Sequence, residues 1–237
     1  LDRSSAASDV YKRQVLVRTG AQAHHLVWTN HHLLLDGWSK TQLIGEVLTV
    51  YGGRALPART GRYRDYIQWL GGRDAQASLA YWRERLAVLD EPTRIGHAVP
   101  RELPPAARRG QRQTVLDEAR TQRLQAVARH ARVTLNTLLQ AAWALALNRH
   151  SGQRDLVFGV TVAGRPMSLP GAEQMLGLFI NTLPVVARCA PDQALWDWLR
   201  ELQAQNAASR EHERTPLNEI QRAGPDGPCA GTPCQST

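Results

Sequence analysis

Apolar residues recur along this chain in two rhythms, and the switches between them outline a mixed helix–strand protein. Residues 24–30 (His24-His25-Leu26-Val27-Trp28-Thr29-Asn30) are rich in β-formers, with Leu26 and Trp28 on one face, and predict a strand. Leu43, Ile44, Val47, Leu48 and Tyr51 then recur at helical spacing and predict a helix over 39–51. Ser39 is a natural N-cap for that helix, and Gly52-Gly53 stops it. Further helices are predicted at 63–70 and at 74–89, the second from the spacing of Leu79, Trp82, Leu86 and Leu89. A proline-rich stretch, 92–110, precedes two more helical patterns at 117–131 and 134–149, the latter ended by Gly152. Residues 156–162 form a continuous apolar run, as expected of a buried strand, and 183–188 fit another. A last helical stripe over 192–211 begins at Asp192 and carries Leu195, Trp198, Leu199 and Leu202. Alternation of this kind implies a layered α/β fold.

Both ends break the pattern. Residues 1–14 show no clear apolar period, and the run from Arg3 to Gln14 resembles translated sequencing adapter, so the segment is expected to lie outside the fold. Residues 223–237 are rich in Gly, Pro, Cys, Ser and Thr and are expected to be a disordered or frameshifted tail.

Composition removes several function classes. The 237 residues suffice for one large domain or two small ones, and 43% hydrophobic content permits a core. No apolar run approaches the ~20 residues that span a bilayer, and no basic start leads into an apolar segment, so a cytoplasmic protein is expected. The formal charge is +8, yet only Lys12 and Lys40 of the 29 basic residues are lysine and the other 27 are arginine. They are spread along the chain, which reads as compositional bias and not as a nucleic-acid footprint. Cys189, Cys229 and Cys234 form neither a disulfide framework nor a zinc spacing.

Two histidine pairs remain. His24-His25 stands alone at the start of a strand and needs no catalytic reading. His31-His32 is followed by Leu33-Leu34-Leu35-Asp36-Gly37-Trp38-Ser39. This run resembles the signature of condensation domains of nonribosomal peptide synthetases, in the chloramphenicol acetyltransferase-like superfamily. Further blocks stand in the family's order: Tyr63-Arg64-Asp65-Tyr66-Ile67-Gln68-Trp69, Tyr81-Trp82, Thr134-Leu135-Asn136-Thr137-Leu138-Leu139-Gln140-Ala141-Ala142-Trp143, and Arg154-Asp155-Leu156-Val157-Phe158-Gly159 leading to Gly164-Arg165-Pro166. Gly177-Leu178-Phe179-Ile180-Asn181-Thr182-Leu183-Pro184 and Thr215-Pro216-Leu217-Asn218-Glu219-Ile220-Gln221-Arg222 close the series.

The resemblance covers residues 15–222 and implies an α/β two-layer sandwich of the CoA-dependent acyltransferase type, truncated. Residues 15–53 would be the end of an N-terminal lobe carrying the histidine motif, with one strand before it, and 54–222 most of a C-terminal lobe. It implies amide formation between a carrier-bound thioester donor and a carrier-bound aminoacyl acceptor, and a chain that is inactive on its own. His32 would be the catalytic residue, as general base or as an orienting hydrogen-bond group. His31, Asp36 and Arg165 would support the site, Asp36 as a buried carboxylate paired with Arg165. Gly37, Trp38, Ser39 and Asn181 would line the channel for a phosphopantetheine arm. Gly37 can equally serve a tight turn, and Asn181 can equally make purely structural bonds. Trp38, Trp143 and Trp198 are expected in the core. No cofactor is expected to bind directly, and no metal, since no ligand spacing accompanies the histidines. Partners would be upstream and downstream peptidyl carrier domains and an adjacent adenylation domain, with neither nucleic acid nor membrane involved. An epimerisation domain of the same superfamily and a non-catalytic fragment are the competing readings. The 177–182 block favours condensation over the first, and His31 argues against heterocyclisation.

Overall fold

A computed structural model describes residues 11–58, 61–93, 95 and 111–224. They form two compact units, one within Leu1–Arg73 and Ala163–Ile180, the other within Asp74–Val162 and Asn181–Thr237. The first unit runs on through Arg73, and within it Tyr66 is buried with Met175 and Phe179, with Tyr63 and Trp69 packed beside them.

The first unit opens with strands β1 (Lys12–Arg18) and β2 (His24–Asn30), paired antiparallel with Val15 opposite Val27. β1 takes in Lys12, Arg13 and Gln14, which the sequence pattern leaves outside the fold, and it adds a second strand ahead of the histidine motif. The lack of period is explained by exposure: every residue of β1 is exposed, so no face is selected for apolar side chains. Residues 1–10, the rest of the adapter-like run, lie outside the described residues.

Helix α1 (Gly37–Tyr51) follows, and its cap differs from the expected one. Asp36, not Ser39, is the N-cap, its carboxylate accepting the Ser39 amide proton at 2.7 Å. Helix α2 (Tyr63–Gly71) comes next, and the unit is completed by residues 163–180, which include a short 3₁₀ turn at Ala172–Gln174.

The second unit holds α3 (Ala75–Leu86), α4 (Glu118–Ala131), α5 (Leu135–Ser151), β3 (Asp155–Val162), β4 (Asn181–Arg188), α6 (Leu195–Glu211) and α7 (Leu217–Ala223). β3 and β4 pair antiparallel, with Leu156 opposite Ala187. One core joins Ala141, Ala144 and Leu147 of α5 to Trp198, Leu199 and Leu202 of α6 and to Leu156. A second joins Trp82 and Leu86 of α3 to Val157, Leu183, Val186 and Ile220. Helix α6 begins at Leu195 rather than Asp192, since Pro191-Asp192-Gln193 forms a turn ahead of it. Helix α7 is too short for a periodic stripe to reveal it; only Ile220 is buried. Trp198 is in the core as expected, whereas Trp38 and Trp143 are 57% and 43% exposed. Among the described residues, no helix is long and apolar enough to cross a membrane. Residues 96–110 of the proline-rich stretch and 225–237 of the tail lie outside the described residues.

Candidate active site

The histidine motif is a short turn hung between two anchors. Its first anchor is the end of the β1–β2 pair, where the His31 amide donates to the Tyr11 carbonyl at 2.7 Å. Its second is Asp36, whose amide donates to the Gly177 carbonyl at 3.2 Å. Between them His31 Nδ1 accepts the Leu33 amide proton at 3.1 Å, which leaves Nε2 as the protonated nitrogen of the neutral ring. His31 is therefore a hydrogen-bonding element of the turn, although it is exposed. His32 is exposed as well, and among the described residues its imidazole makes no hydrogen bond, which leaves both ring nitrogens open to a reactant.

Beneath this turn lies a buried polar core. Asp36 is 1% exposed and Ser39 is wholly buried. Arg165 Nη2 lies 3.3 Å from Asp36 Oδ1 and donates to Ser39 Oγ at 2.8 Å, while Nη1 donates to the carbonyls of Ala172 at 2.6 Å and Met175 at 2.9 Å. The guanidinium also sits 4.0 Å above the Phe179 ring. The expected Asp36–Arg165 pair is thus formed. Burial pushes the Asp36 carboxyl upward, but hydrogen bonding from Ser39 and from the Phe179 amide, with the Arg165 charge, outweighs it and holds the group below the usual aspartate value. Burial likewise pulls the Arg165 guanidinium down, against the opposing Asp36 charge.

The first turn of α1 reads the backbone of the 163–180 segment almost atom by atom. Asp36 Oδ2 accepts the Phe179 amide at 3.1 Å, and Ser39 Oγ accepts the Gly177 amide at 3.1 Å while donating to the Gly177 carbonyl at 2.8 Å. Trp38 Nε1 and Gln42 Nε2 both donate to the Glu173 carbonyl. From α2, Tyr63 Oη donates to the Leu178 carbonyl at 2.7 Å, and burial together with the Asp36 charge raises the pKa of that phenol. Gly177 has to be glycine here, because a Cβ would come within 2.1 Å of the Tyr63 ring. The sequence shows Gly177 and Tyr63 only as members of their blocks, with no role for either. The signal available is a glycine inside an otherwise apolar run.

The four expected channel residues separate. Ser39 is buried in the polar core and is no channel wall. Trp38 is exposed at the start of α1 with its indole proton committed to Glu173. Gly37 has no positive φ, and a Cβ at its position meets nothing within 4 Å. The tight-turn explanation for Gly37 therefore fails, and the space above it is open. Asn181 belongs to the second unit, where Nδ2 donates to the carbonyls of Glu213 and Thr215, both at 2.8 Å, and Oδ1 accepts the Thr182 amide. Both of its amide protons are taken, so the structural alternative accounts for its bonds.

The structure thus sets an exposed histidine turn over a buried Asp36–Arg165 pair. The family model for the condensation domain matches residues 7–226. The chain belongs to the condensation domain family. Among curated proteins, it is 45% identical over 206 residues to a linear gramicidin synthase of Brevibacillus parabrevis, covering 83% of this chain and 4% of that protein. It is 41% identical over 213 residues to chondramide synthase of Chondromyces crocatus, covering 87% of this chain and 5% of that one. Among solved structures, the X-domain from teicoplanin biosynthesis matches with a TM-score of 0.73 at 25% identity, covering 92% of this chain and 52% of its own. The first condensation domain of the calcium-dependent antibiotic synthetase matches with a TM-score of 0.71 at 24% identity, covering 92% and 50%. The condensation domain chain thus spans a small fraction of those synthetases and about half of the solved domains, whose chloramphenicol acetyltransferase-like fold it shares.

Proposed function

We propose that these residues serve amide formation between two thioesters carried on phosphopantetheine arms. The acceptor's amine attacks the donor's thioester carbonyl, the C–S bond breaks, and the donor arm leaves as a thiol. The nitrogen loses a proton on the way, and the departing sulfur takes one. His32, whose nitrogens are not engaged by the described residues, is suited to hold that proton, since imidazole is the side chain that titrates near neutrality. The single observation that carries the reading is the anchored turn: an exposed His32 set over a buried Asp36–Arg165–Ser39 core, in a chain of the condensation domain family. Peptidyl carrier domains and a neighbouring adenylation domain are the partners this reaction needs. The cofactor chemistry belongs to the carriers' arms.

The test is single-turnover transfer between two loaded carrier proteins, read by mass spectrometry. A complete condensation domain carrying these residues is expected to form the amide. The chain alone, which spans about half of the solved domains, is expected to form none above an enzyme-free control, because positioning both substrates supplies most of such a rate. Absence of amide from the complete domain with every donor and acceptor tried would overturn the reading.

Gly37 gives a sharper test of the channel. Gly37→Leu is expected to melt like wild type, because the space around a Cβ at this position is empty to 4 Å. The bulky side chain is expected to reduce transfer to a carrier-bound acceptor at least tenfold, a loss of roughly 1.4 kcal/mol of transition-state stabilisation. A small free amine, needing no arm, should retain its rate. Equal losses with both nucleophiles would mean a folding defect and not a blocked channel.

A further inference from the structure

The Asp36–Arg165 pair holds the site's charge in place, but it does not by itself explain what fixes the turn bearing His32. That turn has an anchor at each end, and the second one rests on the Gly177 peptide. Resting on the proposed condensation chemistry, we propose that Ser39 is a positioning residue: its hydroxyl grips both polar atoms of Gly177 and thereby fixes the anchor from which the His32 turn hangs.

Three observations carry this. Ser39 Oγ donates to the Gly177 carbonyl at 2.8 Å and accepts the Gly177 amide at 3.1 Å, so one hydroxyl holds one residue from two sides. The same carbonyl accepts the Asp36 amide, the last backbone donor of the turn. Ser39 Oγ also accepts from Arg165 Nη2 at 2.8 Å, closer than either Asp36 oxygen lies to that nitrogen. A wholly buried hydroxyl with one donor and two acceptor sites filled has no spare capacity, which is how a side chain sets a geometry and not merely a volume. Tyr63 holds the adjoining Leu178 carbonyl from the other helix, so the strap is pinned from two elements independently. His32 itself is held by neither. It inherits its place from the backbone, so loosening Gly177 is expected to spread His32 over several positions while leaving its chemistry intact.

The experiment has two readouts. In the full chain with labelled histidine, Ser39→Ala is expected to broaden or split the imidazole resonances of His32 and leave those of His130 and His150 unchanged. In a complete condensation domain the same variant is expected to lower kcat on the order of tenfold at unchanged KM for the loaded acceptor, since misplacement of about 1 Å can cost up to 10²-fold. Thr137→Val, which breaks the buried Thr137–Gln203 bond of the other unit, is the stability control: melting should fall with no change in the His32 signals or in kcat. Should Ser39→Ala fail to fold, Tyr63→Phe decides, because it frees the same strap and should broaden His32 to a smaller degree. Sharp, unshifted His32 signals in the folded variant, or a loss confined to KM, would overturn the proposal. The His32 spectrum judges the positioning claim, and the rate of His32→Ala judges the condensation reading, so the two can fail separately.

Discussion

His32→Ala in a complete condensation domain is expected to lower the single-turnover rate of amide formation by a factor on the order of 10²–10⁴, with melting unchanged. The size follows from the proton. An α-amine is largely protonated at neutral pH, and attack on a thioester passes through a zwitterion that must lose a proton before the thiol departs. Imidazole, as a group that titrates near neutrality, accepts or holds that proton, and water at one face of the turn does so less well. The unchanged melting follows from the structure. His32 is exposed and makes no hydrogen bond among the described residues, so its removal strands no partner and empties no core. The turn keeps both anchors, through the His31 and Asp36 amides. His32→Gln, which keeps a hydrogen-bonding side chain without a titrating nitrogen, separates the two roles open to His32. A Gln variant near wild type would make His32 an orienting group, and an Ala variant within a few-fold of wild type would remove it from the chemistry.

The candidate site is legible in the sequence where it depends on residue identity. The resemblance points to Asp36 in the histidine run and to Arg165 in the Gly164-Arg165-Pro166 block, and their contact forms because a buried carboxylate leaves few other ways to satisfy its charge. What depends on direction is harder to read. The resemblance puts Ser39 in a channel, yet its hydroxyl turns inward, because the N-cap is Asp36 and Ser39 falls at the third helical position facing the core. It offers Asn181 to a ligand, yet the carbonyls of Glu213 and Thr215 claim that side chain; nothing local to residue 181 announces bonds to a loop more than thirty residues away.

The fold divides in the same way. Strands and helices with one buried face are visible from their period, to within a few residues at each end. β1 escapes because its seven residues are all exposed and show no alternation of apolar and polar positions, and α7 because seven residues give at most two turns. The return of residues 163–180 to the first unit cannot come from periodicity at all. It is set by side chains of α1 bonding to carbonyl and amide groups, and backbone groups are the same in every sequence.

Asp36→Ala is expected to act on stability before it acts on rate. The variant leaves the Arg165 guanidinium 8% exposed with its carboxylate partner gone, although Nη1 keeps the Ala172 and Met175 carbonyls and Nη2 keeps Ser39 Oγ. Breaking a buried pair from one side costs about 3–5 kcal/mol, chiefly because the surviving charge stays out of water. The helix loses its N-cap acceptor in the same step. Arg165→Met should destabilise by a similar mechanism with the signs exchanged, and the double variant should lose less than the sum of the two, since it buries no unpaired charge. The pair also predicts a pH dependence of definite sign. Asp36 has a folded pKa below its ordinary value, so the stability it contributes is present above that value and is lost as pH falls through the folded one. Urea melts of wild type and Asp36→Asn should therefore differ at about pH 6, and the gap should narrow below about pH 4. Wild-type melting in Asp36→Ala alongside lost amide formation would place Asp36 in the chemistry and not in its support. A gap between wild type and Asp36→Asn that grows in acid would mean that the carboxyl is held protonated, and the ion pair would have to be abandoned.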